Sequence, residues 1–506
     1  MQRSYTSRSP VIPCSLADTP CATLGVWGIL NGLNTALGMF ETSRKLCPIF
    51  KDFIERNYDF GTAYALLRPV WNTHNLGNKL RRREGEDRER RQKALVGNRI
   101  VDPRLTPRQR PTPISHAWVD EKDRVDVRTP INGKEWPVPM PKDADLNLIR
   151  IEMLNLGAEY AWLDVLCLRQ KEEGGPREDL RMEEWRLDVP TIGGVYQTDV
   201  YEHKKVVIYL SGLGRPLRLK DGDLDSNRNW FRRAWTLQEV GYTHIIAGDT
   251  PDGPMHAWRL YHGNHETALL TRFHKELHSV ERRRHHIFAV LADMQKRMST
   301  NPVDRVAGLA FPLRPRTIPA YHESETLEDA WTALVNAMDP GMRARFLLVY
   351  PRVGLGCKKW RPTWDQVMKQ PLPKDVDDLY ACVWHNNKTD EDWCGERCIE
   401  KGHVRVFDVG SAERRDRCGE LVVKAAYGIA HTFNIRVTHQ FPIPEDTYTL
   451  LSGGNLSWFS HWAIGRRLPD QRFKKVSVIV IDCLTYRQRQ TLEDLSMAAR
   501  SHNVLV

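Results

Sequence analysis

Short apolar runs separated by helix-length stretches constrain this chain more than any other feature. Val206–Leu210 (VVIYL) is apolar at both parities, and Tyr160–Leu168 (YAWLDVLCL) is so apart from Asp164. A strand that is apolar on both sides needs cover on both sides, which points to a sheet with helices on each face. Thr112–Trp118 (TPISHAW) and Thr243–Gly248 (THIIAG) read as two further strands. Between the first two strands, Leu146, Ile149, Met153 and Leu156 recur at helical spacing before Gly157. Asn229–Gly241 (NWFRRAWTLQEVG) reads as another helix, with a capping asparagine or serine before it and glycine after it. The alternation over about residues 111–250 is that of βαβ units and a mainly parallel α/β sheet.

The flanks differ. Residues 1–110 form an N-terminal extension ending in a charged linker, KLRRREGEDRERRQK from Lys79 to Lys93, with eight basic and four acidic residues. Both signs are interleaved and no aromatic residue is present to stack on a base, so a solvated helix or linker fits better than a nucleic-acid patch. The chain carries 74 Lys and Arg against 64 Asp and Glu over 506 residues, and the resulting +10 is a thin surplus for nucleic-acid binding. Ala22–Phe40 is the one candidate membrane span. Four glycines and two asparagines break it, so a buried helix is expected and no integral membrane segment. Residues 251–370 carry long helical patterns, and 371–506 turn β-rich in Val and Ile.

A composition of 41% apolar and 27% charged residues excludes disordered and collagenous classes. Ten cysteines without a regular frame exclude a disulfide scaffold and fit a reducing compartment. Cys382, His385, Cys394 and Cys398 offer four potential zinc ligands at irregular spacing, and scattered thiols are the alternative. No GxGxxG, GxxxxGK[ST] or HExxH motif is present.

Three segments in order carry a resemblance: PISHAW (Pro113–Trp118), EYAWLDVLCLRQ (Glu159–Gln170) and NWFRRAWTLQEV (Asn229–Val240). Together they resemble the HET (heterokaryon incompatibility) domain of filamentous fungi. GGVYQTDVYEHKKVVIYL, with Tyr196, stands where that family has an Ile-Tyr-x-x-Ala segment, and Asp199 departs from its alanine. NPVDRVAGLAF (Asn301–Phe311) and KWRPTW (Lys359–Trp364) resemble blocks that often follow the domain. The resemblance implies a TIR/flavodoxin-like, doubly wound core over 111–250, a helical associated region over 251–370, and a separate β-rich region over 371–506. It also implies a cytoplasmic recognition protein that triggers cell death on activation through self-association and an activating protein. NAD enters as a possible substrate, with no tightly bound cofactor. A non-catalytic TIR-like interaction module is the alternative.

Catalytic TIR domains carry a glutamate in a Trp-x-x-x-Glu pattern, and Trp235 and Glu239 have that spacing. On a helix Glu239 would meet Trp235, Thr236, Tyr242 and Thr243, with no basic residue among them, and would sit in the last turn, where an acid is disfavoured by about 0.3 to 1 kcal/mol. Such local misfit accompanies functional sites, although a tertiary salt bridge would also account for it. Cleaving the nicotinamide–ribose bond expels a neutral group and builds positive charge on the ribose, which one fixed carboxylate can stabilise.

Ligands of open α/β sheets bind beyond the carboxyl ends of the strands. Ser115, His116 and Trp118 end the first strand, and Arg169 and Gln170 end the second. Arg169 suits a phosphate, Ser115 and Gln170 suit hydrogen bonding, and Trp118 and Trp235 suit either ligand stacking or core packing. His116 is either a ligand-facing group or a satisfied polar one. Asp164, inside an apolar run, needs a partner or an opening and reads as an orienting acid, while Cys167 reads as an inert strand cysteine.

Overall fold

The computed structural model describes residues 12, 14–38, 43–68, 70–71, 73–82, 85, 111–132, 134–155, 158, 161–172, 178–196, 205–215, 217, 229–241, 243–250, 253–254, 268–283, 286–377, 379–405, 416–425, 428–453, 460–481, 485–496 and 502–506. Most of the Lys79–Lys93 run, together with Glu159, Tyr160 and Asp199, lies outside them. The chain divides into two units, Met1–Trp230 with Glu239–Glu276, and Phe231–Gln238 with Leu277–Val506.

In the first unit, helices Cys21–Leu37, Ser43–Glu55 and Phe60–Leu67 enclose an apolar core of their own, with Ile29, Leu33, Phe50, Phe53, Phe60 and Trp71 buried in it. Asp59 starts the third helix by accepting the backbone N–H of Thr62 at 2.7 Å, an N-cap of the ordinary kind. The candidate span around Ala22–Phe40 thus lies largely in a core helix, and no described helix is long and apolar enough to cross a membrane.

Six strands follow: β1 (Thr112–His116), β2 (Arg124–Val127), β3 (Val138–Pro141), β4 (Ala161–Leu163), β5 (Val206–Tyr209) and β6 (His244–Ile246). β2 and β3 make a hairpin, whereas β4, β1, β5 and β6 form one wholly parallel sheet in that order. Both faces are covered, as the two-sided apolar runs require. Helix Leu146–Asn155 places Ile149 and Met153 against Ile114, Val207 and Tyr209 on one face. On the other face Tyr196 packs edge-on against Trp162, and Phe273 packs against Trp230. The two-residue strands β7 (Asp249–Thr250) and β8 (Gly253–Pro254) pair after the sheet.

Two expected elements are different. Tyr160–Leu168 is not one strand: β4 stops at Leu163, and Asp164–Cys167 is a helical turn. Asp164 begins that turn by accepting the backbone N–H of Val165 at 2.8 Å, an alternative to the sheet ladder that short polar side chains favour. Cys167 accordingly ends on the exposed side of a turn rather than inside a strand. Asn229–Gly241 is not a helix either. It contains two 3-10 turns, Trp230–Arg232 and Trp235–Leu237, because the intervening backbone pairs with Met298: Ala234 N–H donates to Met298 C=O, and Met298 N–H donates to Arg232 C=O. Glu239 lies beyond the second turn, so the helix-end argument about its charge no longer applies.

The second unit joins helices, among them Ile287–Gln295, Leu327–Ala337, Pro340–Leu348 and Trp364–Lys369, to a nine-stranded sheet. Its strands are β9 (Val383–Asn386), β10 (Glu391–Cys394), β11 (Cys398–Arg405), β12 (Arg417–Lys424), β13 (Ala430–Val437), β14 (Asp446–Ser452), β15 (Ser460–Arg467), β16 (Phe473–Ile481) and β17 (Asn503–Leu505). β13 pairs with β16 as well as β12, so β11 to β16 close into a ring around Val404, Leu421, Phe433, Leu450, Trp462 and Ile479. Leu492 of helix Tyr486–Leu495 belongs to the same core. β17, β10 and β9 extend the sheet beyond β16.

Candidate functional site

Register decides what the end of β1 can assemble. Ser115 lies opposite Ile208 and His116 opposite Tyr209 on β5, so the two neighbours project to opposite faces of the parallel sheet. They build two separate polar clusters.

On the Ser115 face, the serine hydroxyl donates to Glu239 Oε2, and Trp230 Nε1–H donates to the serine oxygen at 2.7 Å. A hydroxyl has one proton. With the indole N–H directed at the oxygen, that proton is aimed at the carboxylate, and each bond polarises the next. Ser115 and Trp230 are each 1% exposed and Glu239 is 8% exposed, so water competes little with this chain.

On the His116 face, Nε2 lies 2.9 Å from Asp164 Oδ1 and Nδ1 lies 3.3 Å from the Ala117 carbonyl. Asp164 keeps 28% of its side chain exposed, so it is a paired acid at the rim rather than an isolated buried one. The Trp118 ring lies 5.7 Å from His116, and the Arg124 guanidinium sits 5.1 Å over its face. Tyr209, beside His116, donates its hydroxyl to Glu152, a fully buried acid of helix Leu146–Asn155 that also accepts Gly248 N–H at 3.3 Å. Glu152 therefore ties the ends of β5 and β6 together.

The remaining expected ligand residues are committed elsewhere. Arg169 is buried, and its guanidinium bonds Glu135 at 2.8 Å and Glu184 at 3.2 Å and stacks 4.9 Å from Trp136. Burial works against its charge, and the two carboxylates outweigh that and raise its pKa. The expected phosphate contact is corrected accordingly: this arginine pins the hairpin after β1 to helix Glu178–Asp188. Gln170 donates to its neighbour Leu168 C=O at 2.8 Å. Trp235 belongs to the second unit, where its indole hydrogen-bonds Asp304 and its ring lies 6.3 Å from Tyr321. Of its two readings, packing is the one realised.

Two of the four candidate zinc ligands are hydrogen-bonded to carboxylates. His385 Nδ1 lies 2.8 Å from Asp392, and the Cys398 thiol donates to Glu400 at 3.3 Å. Among the described residues, no group of three or more His, Cys, Asp or Glu is placed to hold a metal ion.

Sequence reasoning passed over Trp230, Glu152 and Tyr209. A signal for Glu152 existed, since an acid three residues after Ile149 lies on the apolar side of its helix. Trp230 stood inside a quoted motif, but nothing local distinguished it from a core tryptophan. The chemistry available at the Ser115 face is that of one oriented carboxylate at the carboxyl end of a central parallel strand. Comparison with known protein families, curated proteins and solved structures finds no match for the chain.

Proposed function

We propose that the chain is a HET-type recognition protein of the cytoplasm whose parallel sheet is a doubly wound, TIR/flavodoxin-like core and whose activated, self-associated form cleaves NAD with Glu239 as the essential carboxylate. The strand order β4-β1-β5-β6 supports the fold reading, because its sequence rank is 2-1-3-4, as in flavodoxin-like sheets. One observation carries the functional reading: Ser115, at the carboxyl end of β1, holds Glu239 through a hydroxyl that Trp230 orients. Ligands bind at that end of such sheets, and an oriented carboxylate suits a ribose that gains positive charge as nicotinamide departs.

The second reading is a non-catalytic interaction module, and the 8% exposure of Glu239 favours it, since a nearly buried, hydrogen-bonded acid also serves as a structural pin. Nicotinamide release from NAD by the full chain separates the two, measured with and without a fused oligomerising tag to force assembly. Catalysis predicts that Glu239→Gln lowers turnover by about 100-fold or more while melting stays near wild type. Absent wild-type turnover, or equal turnover in both proteins, leaves the interaction module.

A further inference from the structure

KWRPTW, at Lys359–Trp364, has no part in the proposed function, and it holds a buried arginine. Arg361 is 5% exposed. Its Nη2 donates to the Thr332 hydroxyl at 3.1 Å, its Nε has no hydrogen-bond partner, and no ion pair joins it to a described carboxylate. Folded chains pair nearly all their buried charges and satisfy nearly all their buried polar groups. The orphaned nitrogen therefore calls for a partner from outside the chain.

The surrounding charges do not supply that partner. Asp392, the acid that acts on Arg361 most strongly, is already taken by Arg343, Lys358, His385 and the Trp360 indole. Glu328 accepts the Trp364 N–H at 2.8 Å and reaches Arg361 only at longer range, as does Asp390, whose side chain is 71% exposed. Arg343 is 1% exposed, its Nε is also without a partner, and the charge of Arg361 works against its own. Two withdrawn guanidiniums thus share too little negative charge. Beside them runs the loop Gly354–Lys359, closed by Gly354 N–H donating to Lys359 C=O at 2.9 Å. Gly354 has no room for a side chain, because the Arg361 carbonyl packs against it. The backbone N–H groups of Gly356, Cys357, Lys358 and Lys359 donate to no described residue, and the exposed Cys357 lies within electrostatic reach of Arg361. Successive unengaged N–H groups beside an arginine and a lysine are the donor set of an oxyanion site.

We propose that Arg361 and the loop Gly354–Lys359 bind a phosphate-type oxyanion, either inorganic phosphate or the phosphate of an ester. Arg361 is the anchoring cation, and its planar fork suits an oxyanion better than a point charge does. Lys359 and the loop N–H groups are the outer donors. The bound anion supplies the negative charge that Arg343 and Arg361 lack.

The test is titration of the full chain with inorganic phosphate at constant ionic strength, with chloride in its place as the control. Equilibrium dialysis with labelled phosphate reads binding, and mass spectrometry reads the rate at which iodoacetamide alkylates Cys357. Binding should saturate, and alkylation of Cys357 should slow by about threefold or more, because a nearby anion disfavours the thiolate. The exposed Cys418 should keep its rate. Arg361→Lys keeps the charge but loses the fork, and should weaken binding by about tenfold or more. Lys359→Ala should weaken it by about two- to fivefold, the scale of a solvated charge. Methyl phosphate run beside inorganic phosphate identifies the source, which is whichever binds more tightly. Circular dichroism checks each fold, and if Arg361→Lys fails to fold, Lys359→Ala and the alkylation of the wild-type chain decide. Absence of saturable binding, unchanged affinity in Arg361→Lys, or a Cys357 rate that phosphate and chloride alter equally would each overturn the proposal.

Discussion

Glu239 of the first unit and Asp392 of the second are both acids withdrawn from water, and they are held in different ways. Asp392 receives Arg343, Trp360 Nε1–H at 3.1 Å, His385 at 2.8 Å and Lys358 at 3.3 Å. Burial alone would raise its pKa, but Arg343 and Lys358, aided by His385 and Trp360, outweigh that and hold it below the usual carboxylate range. Glu239 is oriented by a neutral hydroxyl, itself oriented by a neutral indole. An acid answered by cations neutralises a fold from within. These cations make Asp392 a stabilising acid, and Glu239 is the one on which the proposed function depends.

The largest effect that tests this contrast is at Asp392. Asp392→Asn leaves Arg343, which is 1% exposed, and Lys358 without their shared counter-charge, and removing one partner of a buried ion pair costs about 3 to 5 kcal/mol. Thermal melting should drop sharply, far more than in Glu239→Gln. A melting temperature near that of wild type would dissolve the distinction between the two acids.

A histidine of the second unit gives the next effect in size. His439 Nδ1 accepts Phe441 N–H at 3.2 Å, which leaves the proton on Nε2, facing Ser477 Oγ at 3.2 Å and Val478 C=O at 3.3 Å. Ser477 donates to Pro351 C=O at 3.0 Å, so this buried serine and histidine are not a nucleophile and its base. Burial, with Arg417 and Lys475 adding to it, lowers the His439 pKa from 6.5 to about 4. The folded state then binds fewer protons than the unfolded state between these values. The stabilisation is complete above the unfolded pKa and is lost as pH falls toward about 4, up to about 3 kcal/mol. Denaturant melts across that window should show the loss, and His439→Gln should flatten it. The same slope in the variant would place the titration on another group.

How much of this was legible in the sequence followed from how local each determinant is. Short apolar runs located β1, β5 and β6, and helical spacing located helix Leu146–Asn155, because both patterns are written into nearby residues. The β-rich character of the C-terminal region was equally plain, whereas its closure is not local: the bond between β13 and β16 joins Ile435 to Ile481 across the ring. The two misread elements failed for different reasons, one distant in sequence and one local. Helical spacing in Asn229–Gly241 lost to pairing with Met298, and the apolar run at Tyr160–Leu168 lost to a turn that Asp164 starts. At the candidate site, the motifs supplied Ser115 and Glu239 but not the bond between them. Arg169 was misassigned because Glu135 and Glu184, its partners, are distant in sequence and look like ordinary surface acids.

Trp230 gives the smallest expected effect and the most specific one. Trp230→Phe keeps an aromatic ring against Phe273 but removes the N–H that the Ser115 oxygen accepts at 2.7 Å. One lost neutral hydrogen bond in a buried site lowers stability by about 1 to 3 kcal/mol, toward the lower end here because the Ser115 hydroxyl still donates to Glu239. The serine proton then has more freedom to turn from the carboxylate, so nicotinamide release should fall by about tenfold, well short of the loss in Glu239→Gln. Turnover that falls as far as in Glu239→Gln would move the chemistry toward the indole. Unchanged turnover would show that Ser115 holds Glu239 without help, and the relay would shrink to a single bond.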